Sequence, residues 1–365
     1  MPWRWLTLKP GRRAGWMAET LLSSLNAGLL AALGSDERVY LLGEDILDPY
    51  GGSFKVTRGC SSAFPQRVIT TPISEAGLAG VSAGMALRGL RPVLEIMFGD
   101  FLTLTFDQLV NHISKFRWMY NNTVSLPLVI RTPMGGRRGY GPTHSQTLEK
   151  LFMGVPGLTV AAPVNLVDAA FHQTPGDLLE SLILHSNHPV LFIENKLQYL
   201  LPVYQSSDLA DLEISATHAG TGPEPAFPVY KLTVAGAPAA KVTLTAYGYM
   251  AELARQAMLQ LAYEEELFCE LIIPTRLAPF EATDVVESVQ RTGRLVTIEE
   301  AGFTLGWGAE VTARVAESLP GERLVTRRVA ARDLPVPAAP SLEKRVLPQV
   351  EDILQTVRKV ANHGK

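Results

Sequence analysis

Six short, mostly apolar runs punctuate the first 200 residues, and a helical pattern or a glycine-rich loop separates each from the next. The runs are Val39–Leu42, Arg67–Ile69, Val93–Met97, Leu126–Arg131, Leu158–Ala162 and Val190–Ile193. They lack the apolar-polar alternation of a strand with one wet face, so both faces must be covered. That is the signature of a mostly parallel sheet with helices packed on each side. Helical periodicity over Glu19–Leu33, Ala76–Arg88, Thr105–Tyr120, Gln146–Phe152 and Leu166–Leu184 supplies the cover. A second series begins at Val242–Ala246 and continues with strands at Leu267–Ile273, Arg294–Ile298 and Arg323–Val329. Its expected helices are Ala251–Ala262, Glu281–Gln290, Ala309–Ser318 and Leu342–Val360. A chain of 365 residues suits two domains. The expected architecture is α/β, with two three-layer α/β/α domains at residues 17–200 and 241–365, joined by an irregular, proline-rich linker at 201–240.

Composition narrows the function. Hydrophobic residues make up 47% of the chain, charged residues 19%, and the formal net charge is −3. That balance, with no long basic run, argues against a nucleic-acid partner. Cys60 and Cys269 lie too far apart in sequence to suggest a disulfide framework or a metal-ligand pattern. They read as unpaired thiols in a reducing compartment, which makes a cytoplasmic location the expectation. No run of about 18 apolar residues is present, so no membrane span is expected. Residues 1–16 carry Trp3, Trp5 and Trp16 among Arg4, Lys9, Arg12 and Arg13, without the apolar core of a signal peptide. They are expected to be an extension outside the fold, with Met17 a natural start.

Open parallel sheets bind ligands beyond the carboxyl ends of their strands. The loops there hold Gly43-Glu44-Asp45, then Thr71-Pro72-Ile73-Ser74-Glu75, then Phe98-Gly99-Asp100-Phe101. A fourth runs from Arg131 through Gly135, Arg137, Arg138 and Gly141 to Thr143-His144-Ser145-Gln146. Glu75 stands where an extended segment turns into a helix, and Gly77, Gly80 and Gly84 leave one face of that helix bare. An acid at the mouth of such a helix is a poor stabiliser and a reasonable cofactor ligand. The basic pair Arg137-Arg138 reads as a solvated loop charge, and Glu299-Glu300 as solvated acids ending a strand.

Taken in order, Gly43-Glu44-Asp45, the Thr71–Glu75 segment, Gly89-Leu90-Arg91-Pro92, Phe98 to Gln108, Thr143–Gln146, Pro156-Gly157-Leu158, Pro189-Val190 and Thr292–Leu295 resemble one family. It comprises the beta subunits of thiamine-diphosphate-dependent 2-oxoacid dehydrogenases (pyruvate, branched-chain 2-oxoacid and acetoin types), relatives of transketolase. The resemblance implies a transketolase-like pyrimidine-binding domain followed by a transketolase C-terminal-like domain. It implies that Glu75 hydrogen-bonds the aminopyrimidine of thiamine diphosphate, with Glu44 nearby. Phe101 packs on the ring, Phe98 helps wall the pocket, and His144 handles protons and the lipoyl group. Gly80 and Gly84 fit the family's glycine motif at a subunit interface.

The family's Gly-Asp-Gly diphosphate and magnesium motif has no match, since Gly99-Asp100 precedes Phe101 and Gly176-Asp177 precedes Leu178. The resemblance therefore implies half of a shared site. An alpha subunit would supply most of the Mg2+ binding in an α2β2 heterotetramer, and a lipoyl-bearing acyltransferase would take the product of a small 2-oxo acid. Some members hold a potassium ion near the segment equivalent to His185–Pro189, but Ser186 and Asn187 stand here where an acid is expected. Two alternatives share the same residues: a two-chain transketolase-like or acyloin-forming carboligase, and a non-catalytic scaffold subunit.

Overall fold

The computed structural model describes residues 19–168, 170–219 and 225–363. Residues 1–16, expected to lie outside the fold, fall outside the described residues. The first sheet runs in the order β11-β5-β6-β4-β3-β1-β2. Its strands are β1 (Val39–Gly43), β2 (Val68–Thr70), β3 (Arg91–Glu95), β4 (Val129–Met134), β5 (Thr159–Ala161), β6 (Val190–Asn195) and β11 (Arg276–Ala278). All pair in parallel except β11, which lies antiparallel on β5. Every residue of β4 and β6 is buried, as suits two mostly apolar strands covered on both faces.

One layer on this sheet pairs α1 (Leu21–Ser35) with α5 (Pro175–His185). Each helix opens with a threonine cap: Thr20 with Ser23, and Thr174 with Asp177. The two backbones nearly touch. A Cβ on Gly28 would stand 2.2 Å from the Gly176 carbonyl oxygen, and one on Gly176 2.0 Å from that of Ser24. The other layer includes α3 (Glu75–Leu87).

The second sheet runs β13-β12-β9-β10-β8-β7. Its strands are β7 (Leu212–Ala219), β8 (Phe227–Val234), β9 (Val242–Ala246), β10 (Cys269–Pro274), β12 (Arg294–Gly302) and β13 (Val325–Ala331). Helices α6 (Tyr249–Glu265), α7 (Thr283–Thr292), α8 (Trp307–Ser318) and α10 (Val350–Ala361) cover it.

Six sequence expectations need correction. Residues 201–240, read as an irregular linker, contribute β7 and β8, an antiparallel hairpin that extends the second sheet. Strand β11, from the second half of the chain, crosses to the edge of the first sheet. The helix expected over Leu342–Val360 is two, α9 (Pro340–Val346) and α10, because Pro348 between them has no N–H to donate. The helix expected over Thr105–Tyr120 is a 3-10 turn (Gly99–Thr105), a π-helical turn (Gln108–Ile113) and the short helix α4 (Phe116–Met119). There the Thr103 and Thr105 hydroxyls donate to the carbonyls of Asp100 and Leu102, competing with helix bonds. Gln146–Phe152 and Leu166–Leu184 are helical only over Glu149–Leu151 and from Pro175 on, where the proline starts the turn.

Candidate active site

Register places the loops of interest at one rim. Gly43 of β1 pairs with Thr70 of β2 and Glu95 of β3, and Glu95 pairs with Arg131 of β4. The segments after these strands carry Glu44, Glu75, Phe98, Phe101 and the loop that ends at His144.

Thr71 to Ser74 lead from β2 into α3, and Glu75 is its first residue. The Glu75 side chain is 6% exposed, yet among the described residues its carboxylate has no hydrogen bond or ion pair. Glu44 is equally buried and accepts a bond from the Ser74 N–H (3.2 Å), which fixes the turn into the helix. Burial first, and the Glu75 charge second, push the Glu44 carboxyl above its ordinary range.

The structure brings Phe98, Phe101 and His144 together. Ring centroids lie 5.7 Å apart for Phe98 and Phe101, 4.9 Å for Phe98 and His144, and 5.3 Å for Phe101 and His144. All three meet edge to face, the favoured aromatic geometry. Thr143 Oγ1 lies 2.9 Å from His144 Nδ1, so the hydroxyl bears on which nitrogen carries the proton. Asp100 Oδ1 accepts from the Gln146 side-chain amide (2.9 Å), tying the histidine segment to the Phe98–Phe101 turn.

Gly80 and Gly84 lie on an exposed face of α3, and a Cβ on either would meet nothing within 4 Å. Among the described residues the bare face has no neighbour at these two positions. Among the described residues, no cluster of three or more histidine, cysteine, aspartate or glutamate side chains is placed to hold a metal ion. Both cysteines are buried, their thiols pushed up to about 12 by desolvation.

Sequence reasoning missed three features. Beneath the rim, Arg131 is buried between Glu95 and Glu194, donating to Glu194 from Nε (2.8 Å) and Nη2 (2.5 Å) and to Glu95 from Nη1, while the Tyr199 hydroxyl donates to Glu194 (2.6 Å). A charged residue closing or lying inside an otherwise apolar strand was the available signal. Lys196, fully buried, donates to the His144 carbonyl oxygen, and desolvation depresses its ammonium to about 8. Finally, Glu299 and Glu300 are buried, not solvated. Glu300 Oε1 accepts from the Gly136 N–H (2.7 Å), and Glu299 Oε1 from that of Gly308 (3.0 Å). Of the basic pair, Arg138 is exposed as expected, with one bond from Nη2 to the Lys196 carbonyl (3.1 Å), whereas Arg137 is half-buried and its Nη2 donates to the Pro348 carbonyl (2.6 Å).

A buried carboxylate without a partner, aromatic faces and a nearby imidazole fit a flat heteroaromatic ring with an exchangeable proton. Comparison with known proteins agrees. Residues 21–200 match the transketolase pyrimidine-binding domain family and residues 234–353 the transketolase C-terminal domain family. The pyruvate dehydrogenase E1 component subunit beta of Leifsonia xyli subsp. xyli is 36% identical over 343 residues, covering 92% of this chain and 93% of its own. The mitochondrial beta-2 subunit of rice (Oryza sativa subsp. japonica) is 33% identical, with 93% and 85% covered, and the human mitochondrial beta subunit is 32% identical, with 96% and 94% covered. A solved split-gene transketolase, an inactive beta4 tetramer, shares the fold with a TM-score of 0.71 at 20% identity, over 95% of this chain and all of that one. The chain thus belongs to the beta subunits of thiamine-diphosphate-dependent 2-oxoacid dehydrogenases, within the transketolase-like superfamily.

Proposed function

We propose that this chain, with an alpha-type subunit in an α2β2 assembly, decarboxylates a small 2-oxo acid and passes the acyl group to a lipoyl-bearing acyltransferase. The observation that carries this reading is Glu75 at the rim, a largely buried residue whose carboxylate has no hydrogen bond or ion pair among the described residues. An isolated buried acid costs stability unless something outside the chain hydrogen-bonds it.

Thiamine diphosphate, when bound, would supply the carbon nucleophile for the decarboxylation. Glu75 would hold its pyrimidine ring and take part in proton exchange at a ring nitrogen, with Glu44 keeping the helix start in place. Phe101 would offer the ring a flat apolar face, and Phe98 would close the wall behind it. His144 would donate a proton to the 2-oxo oxygen and later to a lipoyl sulfur. The diphosphate and Mg2+ would be held chiefly by the partner, since this sequence lacks the residues for them.

Calorimetric titration of thiamine diphosphate with Mg2+ into the chain alone, then into its mixture with the alpha-type subunit, tests the reading. Tight binding only in the mixture is expected. Tight binding by the chain alone would overturn the shared site, and no binding in either would favour a scaffold role. Assay with and without a lipoyl domain then separates lipoyl transfer from carboligation to an aldehyde.

A further inference from the structure

His144 ends a loop with few bonds of its own: the Gly135 N–H donates to the Gln146 carbonyl (3.4 Å) and the His144 N–H to that of Gly141 (3.3 Å). Residues 135–141 use left-handed backbone at Gly135, Arg137, Gly139 and Gly141, and at Arg137 a side chain must tolerate φ 69°. Such a path persists only where the surroundings over-determine it.

The surroundings come from distant parts of the chain. The Gly136 N–H donates to Glu300 Oε1 (2.7 Å), and the next amide, that of Arg137, donates to Glu343 Oε1 (2.6 Å). Glu300 lies near the end of β12 and Glu343 lies on α9, and both side chains are buried. The second Glu300 oxygen accepts from Asn195 Nδ2 (3.3 Å). The fit is close: a Cβ on Gly136 would lie 2.5 Å from Leu347 Cδ1 and 3.1 Å from Glu343 Oε1.

At the far end of the loop, Lys196 Nζ donates to the His144 carbonyl. Its ammonium stands 5.1 Å from the Phe98 ring centre and 5.6 Å from that of Tyr140. Asp100, Glu300 and Glu343 face the ammonium with favourable charge, and Arg138 opposes it.

We propose that Glu300, Glu343 and Lys196 are positioning residues, which clamp the loop at both ends and set the His144 imidazole against Phe98 and Phe101. This rests on the catalytic role proposed above for His144 only in its consequence for turnover. The clamp itself is a property of the folded chain. Charge-assisted bonds suit the task because each is roughly twice as strong as a neutral one. The arrangement also makes the second half of the chain, through β12 and α9, responsible for the geometry of a site on the first sheet.

The test is amide hydrogen exchange by mass spectrometry on the full-length chain, comparing Lys196→Met, Glu343→Ala and Glu343→Gln with the parent. Steady-state turnover of the reconstituted assembly is measured alongside. Exchange in the peptide spanning 135–146 should quicken by about tenfold or more in Lys196→Met and Glu343→Ala, with peptides from β1 and α1 unchanged. Glu343→Gln, which keeps an acceptor oxygen, should stay within about threefold of the parent. A misplaced imidazole should lower kcat by about 10- to 100-fold with little change in KM. Loop exchange within about twofold of the parent in both Lys196→Met and Glu343→Ala would overturn the proposal. Faster exchange with unchanged turnover would uphold the clamp and remove His144 from the chemistry, so the two readings fail separately. If Lys196→Met does not fold, Lys196→Arg with Glu343→Ala carries the same comparison.

Discussion

Two groups of buried carboxylates show how differently one chain uses the same functional group. At the rim, Glu75 has no partner among the described residues, and Glu44 accepts one backbone bond. Where the two halves of the chain meet, Glu149 accepts from the Tyr247 hydroxyl and Glu299 from the Gly308 amide. The second oxygen of each is buried without a partner. Desolvation pushes Glu149 up to about 7 and Glu299 to about 8, each opposed by its hydrogen bonds. The difference teaches that burial alone does not mark a functional acid. An acid whose donors come from its own chain fastens that chain together, whereas one left without donors is open to a ligand, the role proposed for Glu75.

The comparison breaks most directly at Glu75. Replacing it with alanine should cost at least about 100-fold in turnover of the reconstituted assembly, yet leave the thermal midpoint of the chain unchanged or raised, since no internal bond is lost and a buried acid is removed. Near-normal turnover would remove Glu75 from the chemistry, and an early melt would move it into the structural group. The opposite pattern is expected at the junction. Glu149→Ala strands the buried Tyr247 hydroxyl, which should cost about 1–3 kcal/mol of stability in a denaturant titration. Unchanged stability would show that this bond does not hold the junction.

A pH series sharpens the contrast further. Glu149 and Glu299 are raised above the ordinary glutamate value of 4.5. Their contribution is therefore fully present below about 4.5 and lost as pH rises through about 7 and 8. Stability should fall between about pH 4.5 and 8, by up to about 1.4 kcal/mol per pH unit for each group, and level off above that. Lys150 and Glu300 face Glu149, Arg328 faces Glu299, and the two acids face each other, so the slopes are coupled. Glu299→Gln should flatten the decline, and an unaltered slope would place the titration elsewhere. The smallest effect is expected at Gly84→Ala. With open space beside it, the chain should gain about 0.5–1 kcal/mol of helix stability, while association with the partner subunit, read by sedimentation, weakens. Undiminished association would show that the bare face of α3 is not an interface.

Much of this was legible without coordinates. Apolar runs located β1, β3, β4, β6, β9 and β10 because a doubly covered strand has nowhere to put a polar side chain. Hairpin β7–β8 was missed because β7, the edge strand, alternates exposed and covered residues instead of running apolar, and Pro228 stands at the start of β8. The breaks around the Phe98–Phe101 turn and at Pro348 came from local bonding that periodicity averages away. At the rim, Glu75, Phe101 and His144 could be singled out because each sits in a short motif in the segment that follows a strand. Lys196, Glu149 and Glu300 could not, because their partners lie 52, 98 and 164 positions away.

By itself, then, the sequence determined two parallel-sheet units, the rim at which their loops gather, and the acid, aromatics and histidine offered there. Those features depend on neighbours within a few residues, where apolar spacing and backbone chemistry act. Only the tertiary structure decided which acids are paired and which is left free, and that the second half of the chain grips the histidine loop. Burial and hydrogen-bond partnership are properties of contacts between distant segments, and no local pattern encodes them.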